Sequence, residues 1–136
     1  MKEKDLPAVM ALSYLGDAVY SLYIRKALVR AGISHAGELN RLSLLFVTAE
    51  RQARRAELLL PLLTEEEAGV FHRAFNHKGL PRRAHATHKE YRLATGFEAV
   101  LGALSYTGDE ERLAALLAST HGDLTENINK EKEEQP

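Results

Sequence analysis

Leu12-Ser13-Tyr14-Leu15-Gly16-Asp17-Ala18-Val19-Tyr20 lies in the first strongly periodic segment of the chain, and the fold turns on how it is read. Leu12, Leu15, Val19 and Leu22 recur at helical spacing, which predicts a helix with one firmly apolar side. Asp17 does not fall on the expected polar side. At about 100° per residue its helical neighbours are Met10, Ser13, Tyr20, Ser21 and Ile24, mostly large and apolar. A carboxylate in such company is costly unless a cation, a donor or a metal compensates it. Gly16 lowers helix propensity by about 1 kcal/mol relative to alanine. That cost makes sense where another backbone, a metal or a substrate must approach closely.

Working outward, the first helix is expected to start at Asp5 as cap, with Pro7 in its first turn, and to stop before Gly32. Ser34 is predicted to open a second helix carrying Leu39, Leu42 and Leu45, and Thr48 a third that ends at Pro61. Thr64-Glu65-Glu66-Glu67 and Thr87-His88-Lys89-Glu90 are capping boxes for a fourth helix, to about Phe75, and a fifth, to about Thr107. In the fifth, Phe97, Val100, Leu101 and Leu104 alternate with Gly96, Ala99, Gly102 and Ala103, small residues that let a partner helix pack closely. Asp109 caps a last helix with Leu113, Leu116 and Leu117 as its stripe. No strand pattern is present, so the expected class is all-α, a bundle of about six or seven helices. Residues 1–120 are expected to form one domain, and 121–136 a polar, charged tail without fixed structure.

The chain has 136 residues and no cysteine, which excludes disulfides and thiolate metal sites and suits a reducing cytoplasm. No apolar run approaches the roughly 18 residues a membrane span needs. The net charge of −1 conceals segregation. Between His72 and Arg92 stand Arg73, Lys78, Arg82, Arg83, Lys89 and Arg92, opposed only by Glu90. Such a run is either a solvated face or the footprint of a phosphate-backbone partner. Its centre, residues 76–86, is the one long irregular connection, and long loops in compact domains are disproportionately functional. His72, His77, His85 and His88 also lie here, but none shows the i, i+4 helical pairing of a zinc enzyme.

Glu98 repeats the oddity of Asp17. Its helical neighbours Tyr91, Ala94, Thr95, Leu101, Gly102 and Ser105 are again apolar or small. Two carboxylates on two helices, each beside glycine, could share a divalent cation with oxygen ligands and retained waters. Alternatively each forms a salt bridge with Arg25, Lys26 or Arg92.

Tyr14-Leu15-Gly16-Asp17-Ala18-Val19 resembles the ribonuclease III signature, Glu-Phe-Leu-Gly-Asp-Ala-Val, and Phe97-Glu98-Ala99-Val100-Leu101-Gly102-Ala103 resembles that family's second acidic motif. The likeness covers roughly residues 7–118. More narrowly, the chain is similar to the mini-ribonuclease III branch, a catalytic domain without a double-stranded-RNA-binding domain. Tyr91-Arg92-Leu93-Ala94-Thr95-Gly96-Phe97-Glu98 matches that branch's Tyr-Arg-x-x-Thr-x-Phe-Glu, and Asn76 and Lys78 match its Arg-Asn-x-Lys loop, with Phe75 where an arginine often stands. Ser13 and Thr95 replace two of the four acids of the parent family, as the mini branch generally does.

The resemblance implies an endoribonuclease that hydrolyses double-stranded RNA as a homodimer, with Asp17 and Glu98 holding Mg²⁺. RNA contacts are expected from Asn76, Lys78, Arg82, Arg83 and Arg92. The branch's association with 23S ribosomal RNA precursor implies that substrate. The rival expectation is a non-catalytic, ribosome-associated RNA-binding relative, against which both retained acids argue.

Overall fold

Threonine and aspartate caps delimit most of the helices in the computed structural model, which describes residues 1–79, 86–122 and 124–133. Among these residues run α1 (Val9–Arg30), α2 (Ala36–Phe46), α3 (Ala49–Leu59), α4 (Glu65–Phe75), α5 (His88–Tyr106), α6 (Glu110–His121) and α7 (Leu124–Glu133). Short 3-10 turns occupy Glu3–Asp5 and Leu60–Leu62, and no strand is present among the described residues. The fold is all-α, as expected. Both capping boxes form: Glu67 N–H donates to Thr64 Oγ1 at 3.2 Å, and Glu90 N–H to Thr87 Oγ1 at 3.0 Å, with each glutamate returning the bond.

α5 is the axis of the molecule. Residues 93–97 and 99–104 are all buried, and a helix apolar nearly all round must be enclosed by others. α1, α3 and α4 enclose it; α6 leans on α3 and α5, and α2 and α7 pack on α1. Fully buried side chains such as Phe97, Leu101, Ile24 and Leu28 each contribute roughly 1.5–3 kcal/mol.

At the α1–α5 crossing the two helices meet backbone to backbone. A Cβ built on Gly16 would stand 1.7 Å from the Glu98 carbonyl oxygen, and one on Gly102 would stand 1.9 Å from that of Leu12. Each helix thus presents a glycine to the other's backbone, and no larger residue fits. On another side of α5, Gly96 lies under the Phe71 ring of α4, where a Cβ would come within 2.8 Å.

Three expectations are corrected. α1 starts at Val9 rather than behind an Asp5 cap, because Pro7 disfavours helical geometry in the residue before it; Asp5 belongs to the separate 3-10 turn. α2 starts at Ala36 after His35, without a side-chain cap from Ser34. The stretch from Leu124 to Glu133, expected to be an unstructured tail, is helical. Leu124 and Ile128, one turn apart, are buried, and Glu131 pairs with Arg51 of α3. Among the described residues no helix is long and apolar enough to cross a membrane.

Candidate active site

Asp17 and Glu98 lie on the two helices of the α1–α5 crossing. Gly16 rests against the backbone of Glu98, so Asp17 begins one residue step, about 3.8 Å, from that contact. Asp17 is exposed and Glu98 half-buried, which corrects the expectation of two buried carboxylates. The buried arc of α1 runs through Leu12, Gly16, Tyr20, Ile24 and Leu28; Asp17 sits just past its edge, where the crossing opens to solvent. Desolvation is therefore not the reason for an acid here.

Ser13 and Thr95 occupy the same crossing one turn before the acids. Ser13 Oγ donates to the Thr95 carbonyl at 3.3 Å, and Thr95 Oγ1 donates to the Tyr91 carbonyl at 2.8 Å. Both residues are buried, so their hydroxyls are spent on backbone oxygens inside the protein. Among the described residues no group of three or more histidines, aspartates or glutamates could hold a metal ion. The donor set on offer is one carboxylate from each helix, exposed Asp17 and half-buried Glu98. It fits Mg²⁺, which keeps several waters and is commonly held by one or two carboxylates together with substrate phosphates.

Behind the acids lies a network that sequence inspection misses. Tyr20, one turn after Asp17, packs edge-on against Phe97 at 5.0 Å and hydrogen-bonds His121 Nε2 at 2.7 Å. His121 Nδ1 lies 2.9 Å from the Leu117 carbonyl, which can only accept; the proton is therefore on Nδ1, and the Tyr20 hydroxyl donates to Nε2. Burial, reinforced by the nearby Arg55 charge, pushes the imidazole down to about 4, and burial likewise raises the Tyr20 phenol. The one sequence signal was positional: His121 continues the Leu113–Leu117 line at i+4. A second hidden pair, Arg112 Nε and Nη2 on Glu67 at 3.0 and 2.8 Å, ties α6 to α4 and holds the Glu67 carboxyl below its usual range.

The predicted RNA contacts separate into two groups. Asn76, which caps the C-terminus of α4, and Lys78 are exposed, while Arg82 and Arg83 lie outside the described residues. Arg92 lies with its guanidinium 5.7 Å above the Phe75 ring, which stacks on Phe71 at 6.3 Å. Phe75 thus supports the Arg92 guanidinium. Arg92 Nε and His88 Nδ1, one turn apart on α5, are buried without a hydrogen-bond partner among the described residues.

The Ribonuclease III domain model matches residues 10–109, spanning both acids and the crossing between them. The chain belongs to the ribonuclease III family. Its kinship lies with the mini branch. It is 40% identical over 108 residues to the Mini-ribonuclease 3 of Symbiobacterium thermophilum, covering 79% of this chain and 83% of that one. With the Mini-ribonuclease 3 of Streptococcus pneumoniae it shares 39% over 111 residues, 80% and 87% of the two chains. A crystal structure of a Fusobacterium nucleatum protein superposes with a TM-score of 0.75 at 31% identity, covering 85% of this chain and 93% of that one. Ribonuclease III enzymes are endoribonucleases that act on double-stranded RNA and generally depend on a divalent metal.

Proposed function

We propose that this chain is a Mg²⁺-dependent endoribonuclease that cuts double-stranded RNA at the α1–α5 crossing. The observation that supports the reading is the Gly16–Glu98 backbone contact, at which the two helices that carry the acids meet. Asp17 and Glu98 would hold the cation, with water and RNA phosphate completing its oxygen shell. Mg²⁺ bound there supplies a lowered pKa for the attacking water and neutralises charge growing on the phosphate. Ser13 and Thr95, neutral and internally bonded, leave the anionic work to these two acids.

Asn76, Lys78, Arg82, Arg83 and Arg92 are the proposed grip on the A-form backbone. Their role is to neutralise phosphates across the minor groove and set the register of the duplex. The protein would work as a homodimer, each subunit cutting one strand. Ala11, Leu15, Ala18, Leu22, Arg25 and Val29 recur with the 4-3 spacing of a helix-pairing stripe along the outer face of α1. All but half-buried Leu15 are exposed, and neighbouring Tyr14 is 83% exposed. A stripe of this kind favours a second copy over solvent. The proposed substrate, from kinship with the mini branch, is a duplex stem of 23S ribosomal RNA precursor, and the setting is the cytoplasm.

The test is cleavage of a defined RNA duplex with and without Mg²⁺, run beside Glu98→Gln. The expected result is Mg²⁺-dependent cutting by the parent and none by the variant, with duplex binding kept by both. Binding without cleavage by the parent would favour the non-catalytic alternative.

A further inference from the structure

α3 and α7 bound an open groove of about 400 Å³ that shares no lining residue with the α1–α5 crossing. Arg51, Arg54, Arg55 and Lys130 line it, with Glu131 as the one carboxylate among the lining residues. Two of the arginines are held in place. Arg51 lies 5.4 Å over the Phe46 ring and pairs with Glu131, and Arg55 Nη1 donates to the Thr120 carbonyl at 2.8 Å. The other two cations face solvent: Lys130 is exposed, and Arg54 is 71% exposed despite its pair with Glu50. Exposed ion pairs of that kind are worth little and exchange readily for a better anion.

Three cations of α3 and one of α7, with a single carboxylate among the lining residues, leave the groove net positive and attractive to an anion. Arginine forks match the tetrahedral oxygens of a phosphate, and oriented guanidiniums lose little freedom in binding one. Leu58, 54% exposed at the groove wall, offers apolar contact to a sugar edge. A backbone phosphate suits an open groove better than a single buried ion would.

We infer that the α3–α7 groove is a phosphate-binding site for the RNA backbone, a second anchor outside the cleavage site. The inference rests on the reading of the chain as a duplex-RNA enzyme. The groove contributes affinity without touching the reacting phosphodiester. Its arginines contact backbone rather than bases, so the anchor is blind to sequence. It also gives α7 a function, because Lys130 is the cation contributed by that helix.

The test is duplex-RNA binding as a function of salt in a cleavage-silent Glu98→Gln background, with and without Arg54→Ala plus Lys130→Ala. Both residues are exposed, and thermal melting checks that the variant stays folded. Expected is a roughly tenfold loss of affinity near 0.1 M salt, with the log–log salt slope shallower by about 2. Cleavage rate at saturating duplex, measured with Glu98 restored, should not change. Unchanged affinity and slope in a parent that binds duplex would overturn the groove alone. A parent that binds no duplex would overturn the endonuclease reading and the groove's RNA assignment together. Titration with inorganic phosphate and with a nucleoside monophosphate separates the sources. Tight capture of either, lost in the variant while duplex affinity stays, would assign the groove to a free ligand and overturn the RNA assignment.

Discussion

α1 and α7 both pack against the body of the molecule, and they do so by opposite means. α1 meets α5 backbone to backbone, with Gly16 and Gly102 leaving no room for a side chain. α7 is held by two buried apolar residues, Leu124 and Ile128, by the Arg51–Glu131 pair, and by Asn127 Nδ2 donating to the His121 carbonyl at 3.3 Å. The first contact cannot loosen without separating Asp17 from Glu98. The second can loosen while the acids stay in place. The candidate site stands where glycines fix the helix spacing, and the charged groove where side chains do.

The comparison breaks most severely at Gly16. Gly16→Ala puts a Cβ into the Glu98 carbonyl, and backbone cannot rotate away as a flexible side chain can. A loss of stability beyond about 3 kcal/mol is expected, read by urea denaturation. A folded, active Gly16→Ala protein would show that the crossing is looser than described.

Acid should act next, through the network behind the crossing. His121 titrates near 4 in the folded protein and near 6.5 when unfolded, so the unfolded chain binds more protons between those values. Stability is fully present above about pH 6.5, falls as pH drops toward about 4, and gains no further dependence from this group below that. The drop should reach up to about 3 kcal/mol. Urea midpoints at pH 7 and 4.5 measure it, and His121→Gln should lack this part of the decline. Equal declines in both proteins would remove His121 from the account.

At the loose end, Glu131→Gln should cost no more than about 1 kcal/mol, because the pair it removes is partly solvated. Hydrogen exchange should speed in α7 and remain unchanged in α1 and α5. Faster exchange at the crossing would mean that the two regions are coupled.

The sequence legible in advance was the local kind. Thr64 and Thr87 with their glutamates marked helix starts to the residue, because a capping box is complete within four positions. Gly16, Gly96 and Gly102 announced close approach, because glycine inside a helix needs a reason. Long-range pairings stayed hidden. Nothing near Tyr20 points to His121, and nothing near Arg51 points to Glu131. The exposure of Asp17 was misjudged because periodicity gives an angle around the helix and not where the neighbouring helix stops. α7 was misread because two apolar residues in a charged stretch fall below what composition can register, yet suffice when a surface is waiting.

If Asp17 and Glu98 carry the chemistry, Asp17→Asn should remove it. The side chain is exposed, so the variant should fold as the parent does. Cleavage of an RNA duplex in Mg²⁺ should fall by at least about a hundredfold, the scale of losing a charge that stabilises the transition state. Duplex binding should persist. Full cleavage by a folded Asp17→Asn protein would contradict the assignment and place the reaction elsewhere.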